Sequence, residues 1–323
     1  MARRTCERFQ ARRPINWPQA KATQHWLCHE RNNNKRLLLR WSGGTTMNRR
    51  DVLKAGLTLS AFTPMLGWMN LIAQQQYNNG DGQLDHPDRY KNLPADAPTI
   101  AMVIYEGFTV LDLIGPYQFL WALMDRRVRI VAKQKGPITA DTGIQIIADT
   151  TFDECPKDLD VLFVGGGTEG TLIAMQDEET RKFFADRGKR ANHIVSVCTG
   201  SLILGAAGLL KGKEATGHFA ARDLLIEFGA KPVNKRTVED GNIMTGAGVS
   251  AGLDLGLALL AKLGGEDYAK LCQLFFEYDP DPMFDYGSPE KAKKEDVEMS
   301  IQMVEPFREA VKQFAREIRH EKE

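Results

Sequence analysis

The chain has 323 residues, a formal net charge of zero and 43% hydrophobic residues. That length and composition allow a sizeable core and exclude a globally disordered chain. The even charge balance gives no sign of nucleic-acid binding by the chain as a whole.

Residues 1–46 stand apart, with ten Lys/Arg against two Glu, an Asn run from Asn32 to Asn34 and no periodicity. They are expected to be a disordered basic leader or a segment outside the natural product. Met47 opens a different pattern. Arg49 and Arg50 are paired, Asp51-Val52-Leu53-Lys54 follows, and a moderately apolar run extends to Ala73. Residues 47–75 therefore look like a twin-arginine export signal, with an amphipathic surface helix as the alternative. Pro64 and Gly67 interrupt the run, so no stable membrane span is expected. The partner implied is the twin-arginine translocase and the destination the periplasm; without a working signal it is the cytoplasm. Residues 76–97, rich in Gly, Asn, Asp and Pro, read as a linker.

A regular pattern starts near residue 98. "TIAMVIY" is a buried strand, "VLDLIGPYQFLWALM" a helix interrupted near Gly115-Pro116, and "VRIVAK" a second strand. "GPITADTGIQIIADTTF" alternates like a hairpin. "LDVLFVGGGTEG" is an apolar strand entering a glycine loop, and "DEETRKFFADRGKRA" has helical spacing. "HIVSVCTGSLILGAAGLL" is a strand feeding a small-residue helix. After "KEATGHF" come a helix through "AARDLLIEFG", short strands near "KPVNKRTVEDGNIMTG" and two more helices to Asp279. Strands apolar on both faces that alternate with helices predict an α/β domain over 98–288, with a mostly parallel sheet and helices on both faces. Over 289–323, Val297, Ile301, Val304, Phe307, Val311, Phe314 and Ile318 recur at spacings of three and four. That predicts one amphipathic C-terminal helix, packed on the domain or on a second subunit.

Of five cysteines, Cys6 and Cys28 fall in the leader, leaving Cys155, Cys198 and Cys272. An odd number without C-x-x-C argues against a disulfide framework and a zinc site. Cys198 stands where a buried strand meets a helix, at the carboxyl edge of the sheet, flanked by Ser196 and Gly200. The helix amino end is expected to favour its thiolate and make it a nucleophile. The alternative is a buried structural cysteine. Asp112, just past the first strand, is expected at the same edge, with its pKa raised by a nearby thiolate so that it can move protons; otherwise it caps a helix. Gly165, Gly167 and Gly170 fit G-x-G-x-x-G. That strand is not the domain's first, however, and no acidic residue ends the next one. The loop through Gly166, Gly167 and Thr168 is instead read as one whose free N–H groups face the thiol, or as a tight turn only. His218 either lines the pocket or is structural, and His193 is read as structural.

"LDLIGP", "DVLFVGGGTEG", "SVCTGSLILGAAGLLKGKEATGHF" and "DGNIMTGAGVSAGLDLGLALLA" together resemble the ThiJ/PfpI superfamily, within the class I glutamine amidotransferase-like fold and nearest the isonitrile hydratases. The resemblance spans about residues 98–290. It implies a flavodoxin-like sandwich, a homodimer, and no metal or organic cofactor. It also implies Cys198 as nucleophile, Asp112 as acid/base partner and Thr199 as a hydroxyl near a small-molecule substrate. Peptidase-like and glyoxalase-like relatives carry histidine directly after the cysteine, so Thr199 disfavours those activities. Gly165 stands where the family often has proline, which is expected to loosen the loop. Gly217 stands where threonine is common, which is expected to change pocket polarity. The implied activity is a lyase that hydrates an isonitrile through a cysteine thioimidate. The alternative is a periplasmic ligand-binding or redox-sensing domain like the sensor halves of AraC-type regulators.

Overall fold

The computed structural model describes Tyr90 and residues 92–320, all within the second of two units of the chain, residues 85–323. The basic leader, the export signal and the linker up to residue 89 lie outside the described residues.

Seven strands form the main sheet: β1 (Thr99–Val103), β2 (Arg127–Ala132), β5 (Thr150–Thr151), β6 (Val161–Val164), β7 (His193–Val197), β10 (Thr237–Asp240) and β11 (Ile243–Gly246). Their spatial order is β10-β11-β7-β6-β1-β2-β5, parallel except for the β10–β11 pair. β3 (Gly136–Thr139) and β4 (Gln145–Ala148) make the expected hairpin, and β8 (Glu214–Ala215) pairs with β9 (Lys231–Pro232). The register aligns Val103 with Val164, Val164 with Ser196, and Val197 with Gly246. The carboxyl ends of β1, β6, β7 and β11 therefore finish level, which is what positions the site.

Eight α-helices are described: α1 (Val110–Leu120), α2 (Thr168–Gln176), α3 (Glu178–Gly188), α4 (Gly200–Ala206), α5 (Ala251–Gly264), α6 (Glu266–Phe275), α7 (Lys294–Met303) and α8 (Glu305–His320). One core joins Leu162 and Val164 to Phe184, Leu202, Ile203, Val311 and Phe314. The other joins Ile100, Met102 and Phe163 to Leu113, Phe119, Leu255 and Leu259. The sheet is thus covered on both faces, as its unbroken apolar strands require. All four residues of β6 are buried, and a side chain such as Phe163 contributes about 2 kcal/mol by that burial.

Four details differ from the sequence expectations. α1 is not interrupted: Pro116 sits inside it, giving up the N–H that would reach the Asp112 carbonyl four residues back. The glycine loop does not run to Gly170: α2 starts at Thr168 and continues through a stretch with no helix expected, because "TEGTLIAMQ" contains Gly170 and two threonines and is a weak helix former. The helix near "AARDLLIEFG" is a 3-10 helix, Arg222–Phe228, ended by Gly229 in the left-handed region at φ 76°. The C-terminal helix is two helices, α7 and α8. Pro306 has no N–H for the Gln302 carbonyl, so the turn breaks at Val304. α8 alone docks on the domain, burying Phe307, Val311, Phe314 and Ile318, while α7 buries no residue. The buried Arg308 guanidinium fixes the docking through both carboxylate oxygens of Asp223, at 2.8 and 2.7 Å, and the Ala220 carbonyl.

Candidate active site

Three strand ends supply the site. Beyond β7, Cys198 adopts φ 61°, a left-handed conformation that is costly for a side-chain-bearing residue. Its N–H is held by the carbonyls of Gly246 (3.1 Å) and Ala247 (2.7 Å), so the end of β11 fixes the strained turn. Thr199 then stands at the N-cap position of α4 without a side-chain capping bond. Beyond β6, the glycine loop turns into α2; beyond β1, the chain turns into α1 and delivers Asp112.

The structure brings Cys198, Asp112, Thr199, Gly166 and Gly167 together. The Cys198 thiol lies against the Asp112 carboxyl. Asp112 is fully buried and Cys198 is 5% exposed. Gly166 N–H donates to Asp112 Oδ2 at 2.7 Å, and Gly167 N–H donates to Thr199 Oγ1 at 3.0 Å. These amides are therefore engaged, not free to face the thiol as expected. They hold the acid and the hydroxyl in place. Asp112 Oδ1 is buried with no hydrogen-bond partner among the described residues.

Burial decides the protonation of the pair. It raises Asp112 to about 7, against the pull of the Gly166 amide and the Cys198 thiol. The raised pKa was expected, but its main cause is burial and not competition with a thiolate. Burial also pushes the Cys198 thiol well above its ordinary value, and the Asp112 charge adds to this. The Thr199 amide and hydroxyl pull the other way without winning. A helix end that lowers the thiol pKa was the expectation; desolvation overrides it. At neutral pH the thiol keeps its proton and faces a carboxyl near its own midpoint. Among the described residues, no cation is a main cause of either shift.

Thr168 does not join the site: it is exposed in the first turn of α2. His218 is half-buried, with its ring on Phe219 and its Nδ1 accepting from Ala220 N–H at 3.3 Å. Burial and the nearby Arg222 charge lower its pKa, so it is neutral. It is next to Gly217, whose added Cβ would lie 2.9 Å from the Cys198 carbonyl, but it makes no hydrogen bond to Cys198 or Asp112 among the described residues. His193 begins β7 at the opposite edge of the sheet.

Both glycine departures have a steric reason. A Cβ on Gly165 would stand 2.8 Å from the Asp112 Cβ, and one on Gly217 would stand 2.6 Å from Ser201 Oγ. The Tyr105 hydroxyl donates to the Gly165 carbonyl at 2.9 Å. Gly167 and Gly170 pack against the backbone of residues 106–108, which accounts for the glycine fingerprint without a dinucleotide. Among the described residues, no group of three or more His, Cys, Asp or Glu could hold a metal ion.

Tyr105, Thr171 and Asp141 border the site and were missed from sequence. Asp141 accepts from Thr109 Oγ1 at 2.6 Å and raises the pKa of Asp112 by its charge. The rule that flagged Cys198, a polar residue just past a buried strand, also flags Tyr105. Nothing in "TEGTL" marks Thr171.

A model of the DJ-1/PfpI family matches residues 98–262. An isonitrile hydratase from Pseudomonas putida is 48% identical over 193 residues, 60% of this chain and 84% of that protein. The deglycase PfpI from Pyrococcus furiosus is 34% identical over 139 residues, 42% of this chain and 81% of that protein. The crystal structure of a ThiJ/PfpI family protein from Pseudomonas syringae superposes with a TM-score of 0.67 at 47% identity, covering 73% of this chain and 98% of that one.

Proposed function

The chain belongs to the DJ-1/PfpI family, and on that premise we propose that it hydrates an organic isonitrile to an N-substituted formamide. The observation that carries this reading is the buried Cys198–Asp112 pair, two acids sharing a desolvated corner with no cation and no histidine bonded to either among the described residues. A neutral, slim substrate suits such a corner; an anionic one does not.

Asp112 in its carboxylate form takes the Cys198 proton as the sulfur attacks the terminal isonitrile carbon, and delivers it to that carbon. The product is a thioimidate, R–N=CH–S, bonded to Cys198. Water then adds to the same carbon, with Asp112 passing a proton to nitrogen. The carbon–sulfur bond breaks, the hydroxyl proton returns to sulfur through Asp112, and R–NH–CHO leaves. The net change is the addition of one water. Thr199 and the glycine loop keep the reacting groups in register.

A simple isonitrile offered to protein that starts near residue 75 is expected to yield formamide, detected by chromatography. Absence of product across aliphatic and aromatic isonitriles would remove this reading. The redox-sensor alternative is less well supported, because oxidation follows thiolate character and exposure, and burial reduces both at Cys198.

Homodimerisation is part of the proposal, supported by the exposed apolar side chains Leu111 and Ile114 on α1 beside Asp112. Sedimentation at working concentration is expected to give a dimer. Periplasmic export through residues 47–75 is likewise proposed. Mature protein confined to the cytoplasm on cell fractionation would contradict it.

A further inference from the structure

Behind Thr199 runs a chain of hydroxyls that the steps above do not use. Tyr105, two residues past β1, donates to the Gly165 carbonyl at 2.9 Å. Its oxygen lies 3.0 Å from Thr171 Oγ1, which lies 2.9 Å from Thr199 Oγ1. Thr171 is fully buried and Thr199 is 8% exposed. Thr199 Oγ1 also takes the Gly167 N–H, so its position is fixed from the glycine loop as well.

Each hydroxyl has one proton to give. While Tyr105 donates to Gly165, Thr171 donates to Tyr105, and Thr199 donates to Thr171 or to the Gly167 carbonyl at 3.3 Å. In that direction the Thr199 proton points away from Cys198. Rotating the three hydroxyls gives the opposite direction: Tyr105 to Thr171, Thr171 to Thr199, Thr199 to the Cys198 sulfur. The rotation gives up the Tyr105–Gly165 bond and gains a charge-assisted one, roughly twice as strong as a neutral bond. Aligned hydroxyls also polarise one another.

We propose that Tyr105 and Thr171 are positioning residues that act through Thr199, their hydroxyls reversing direction when the Cys198 proton passes to Asp112 and so stabilising the buried thiolate. No proton moves along the chain; only rotors turn, and the one proton transferred goes from sulfur to the Asp112 carboxyl. The Thr199 hydroxyl favours the ionised form of Cys198, consistent with a donor beside the sulfur. The titratable groups that face the thiol are Asp112 from α1 and Tyr105 beyond β1, with Asp141 of the hairpin acting on both. The inference deepens the proposed reaction but rests on it only for the choice of nucleophile.

The test is the rate at which iodoacetamide alkylates Cys198, followed by peptide mass spectrometry from pH 6 to pH 9 and so resolved from Cys155 and Cys272. Removing the donor behind Thr199 weakens the Thr199 bond to the thiolate without deleting it. The thiol pKa therefore rises by less than the roughly one unit that loss of a direct donor costs, and alkylation slows about twofold after the offsetting gain in nucleophilicity. Thr171→Val is expected to show that drop with a parallel pH profile, Thr171→Ser to return the rate to the parent value, and Tyr105→Phe to show a smaller drop. A role in packing alone predicts the opposite sign, because a loosened site admits the reagent faster. Unchanged or faster alkylation in Thr171→Val overturns the inference, as does a Thr171→Ser protein as slow as the valine variant. Should Thr171→Val fail to fold, the near-isosteric Tyr105→Phe decides alone, an unchanged rate again overturning it. Absence of isonitrile turnover with this alkylation pattern intact would remove the hydratase reading and leave the hydroxyl chain standing.

Discussion

Two strand-to-helix turns lie side by side at the carboxyl edge of the sheet, β7 to α4 and β6 to α2, and they resolve the same geometry in opposite ways. The first holds a cysteine at φ 61°, strained and nearly buried, with its reactive atom aimed at Asp112. The second uses three consecutive glycines and carries no reactive side chain; its amides grip Asp112 and Thr199. One turn presents the proposed nucleophile and the other holds the two side chains beside it. Chemistry and positioning are thus split between neighbouring loops, and each can be tested without removing the other.

The largest expected effect breaks the first turn chemically. Cys198→Ala is expected to abolish isonitrile turnover while circular dichroism stays native; full activity would end the nucleophile assignment. Next comes its partner. Asp112→Asn keeps the Gly166 bond and loses the proton carrier, so kcat is expected to fall by roughly 10² to 10⁴. In the unchanged protein, kcat/KM is expected to rise with pH and reach half its plateau near the Asp112 value of about 7, because the carboxylate form starts the reaction. A pH profile flat from 5 to 9 would contradict that role.

Asp112 also predicts a stability effect with a definite sign. Its pKa is raised on folding from 3.8 to about 7, so folding binds a proton in that window. Stability is full below about 4 and is lost as pH rises towards 7. Asp112→Asn removes this loss, and thermal melts are expected to show the variant gaining on the parent by up to a few kcal/mol between those limits. Gly166→Ala breaks the second turn, placing a Cβ 2.5 Å from Thr199 Oγ1. A roughly tenfold to hundredfold loss of kcat with Cys198 intact is expected, since misplacement of a positioning group by about 1 Å costs that much. The smallest effect is on strain: Cys198→Gly is expected to raise stability by about 1 kcal/mol in denaturant titration, by relieving the left-handed conformation, less what the lost side chain packed.

Much of this was legible in the sequence, but unevenly. Periodicity and apolar runs identify β1, β2, β6 and β7 and most of the helices. The strand-to-helix step marks the Cys198 turn, and "LDLIGP" marks Asp112. Helix α2 was not legible, because a glycine and two threonines leave it without local preference until it packs on the sheet. The break before α8 was: Pro306 stands in plain view inside the amphipathic stripe, and the stripe's regular spacing masked it.

Sequence by itself determined the family, the doubly covered parallel sheet and the placement of Cys198 and Asp112 at one sheet edge, since these follow from local patterns and from short motifs in fixed order. Only the tertiary structure decided the charge state of the pair, because burial depends on what α1, the glycine loop and the sheet edge exclude together. It likewise decided that the loop amides are engaged and that Tyr105 and Thr171 stand behind Thr199. Those contacts join residues 28 to 66 positions apart, a separation that no local pattern encodes.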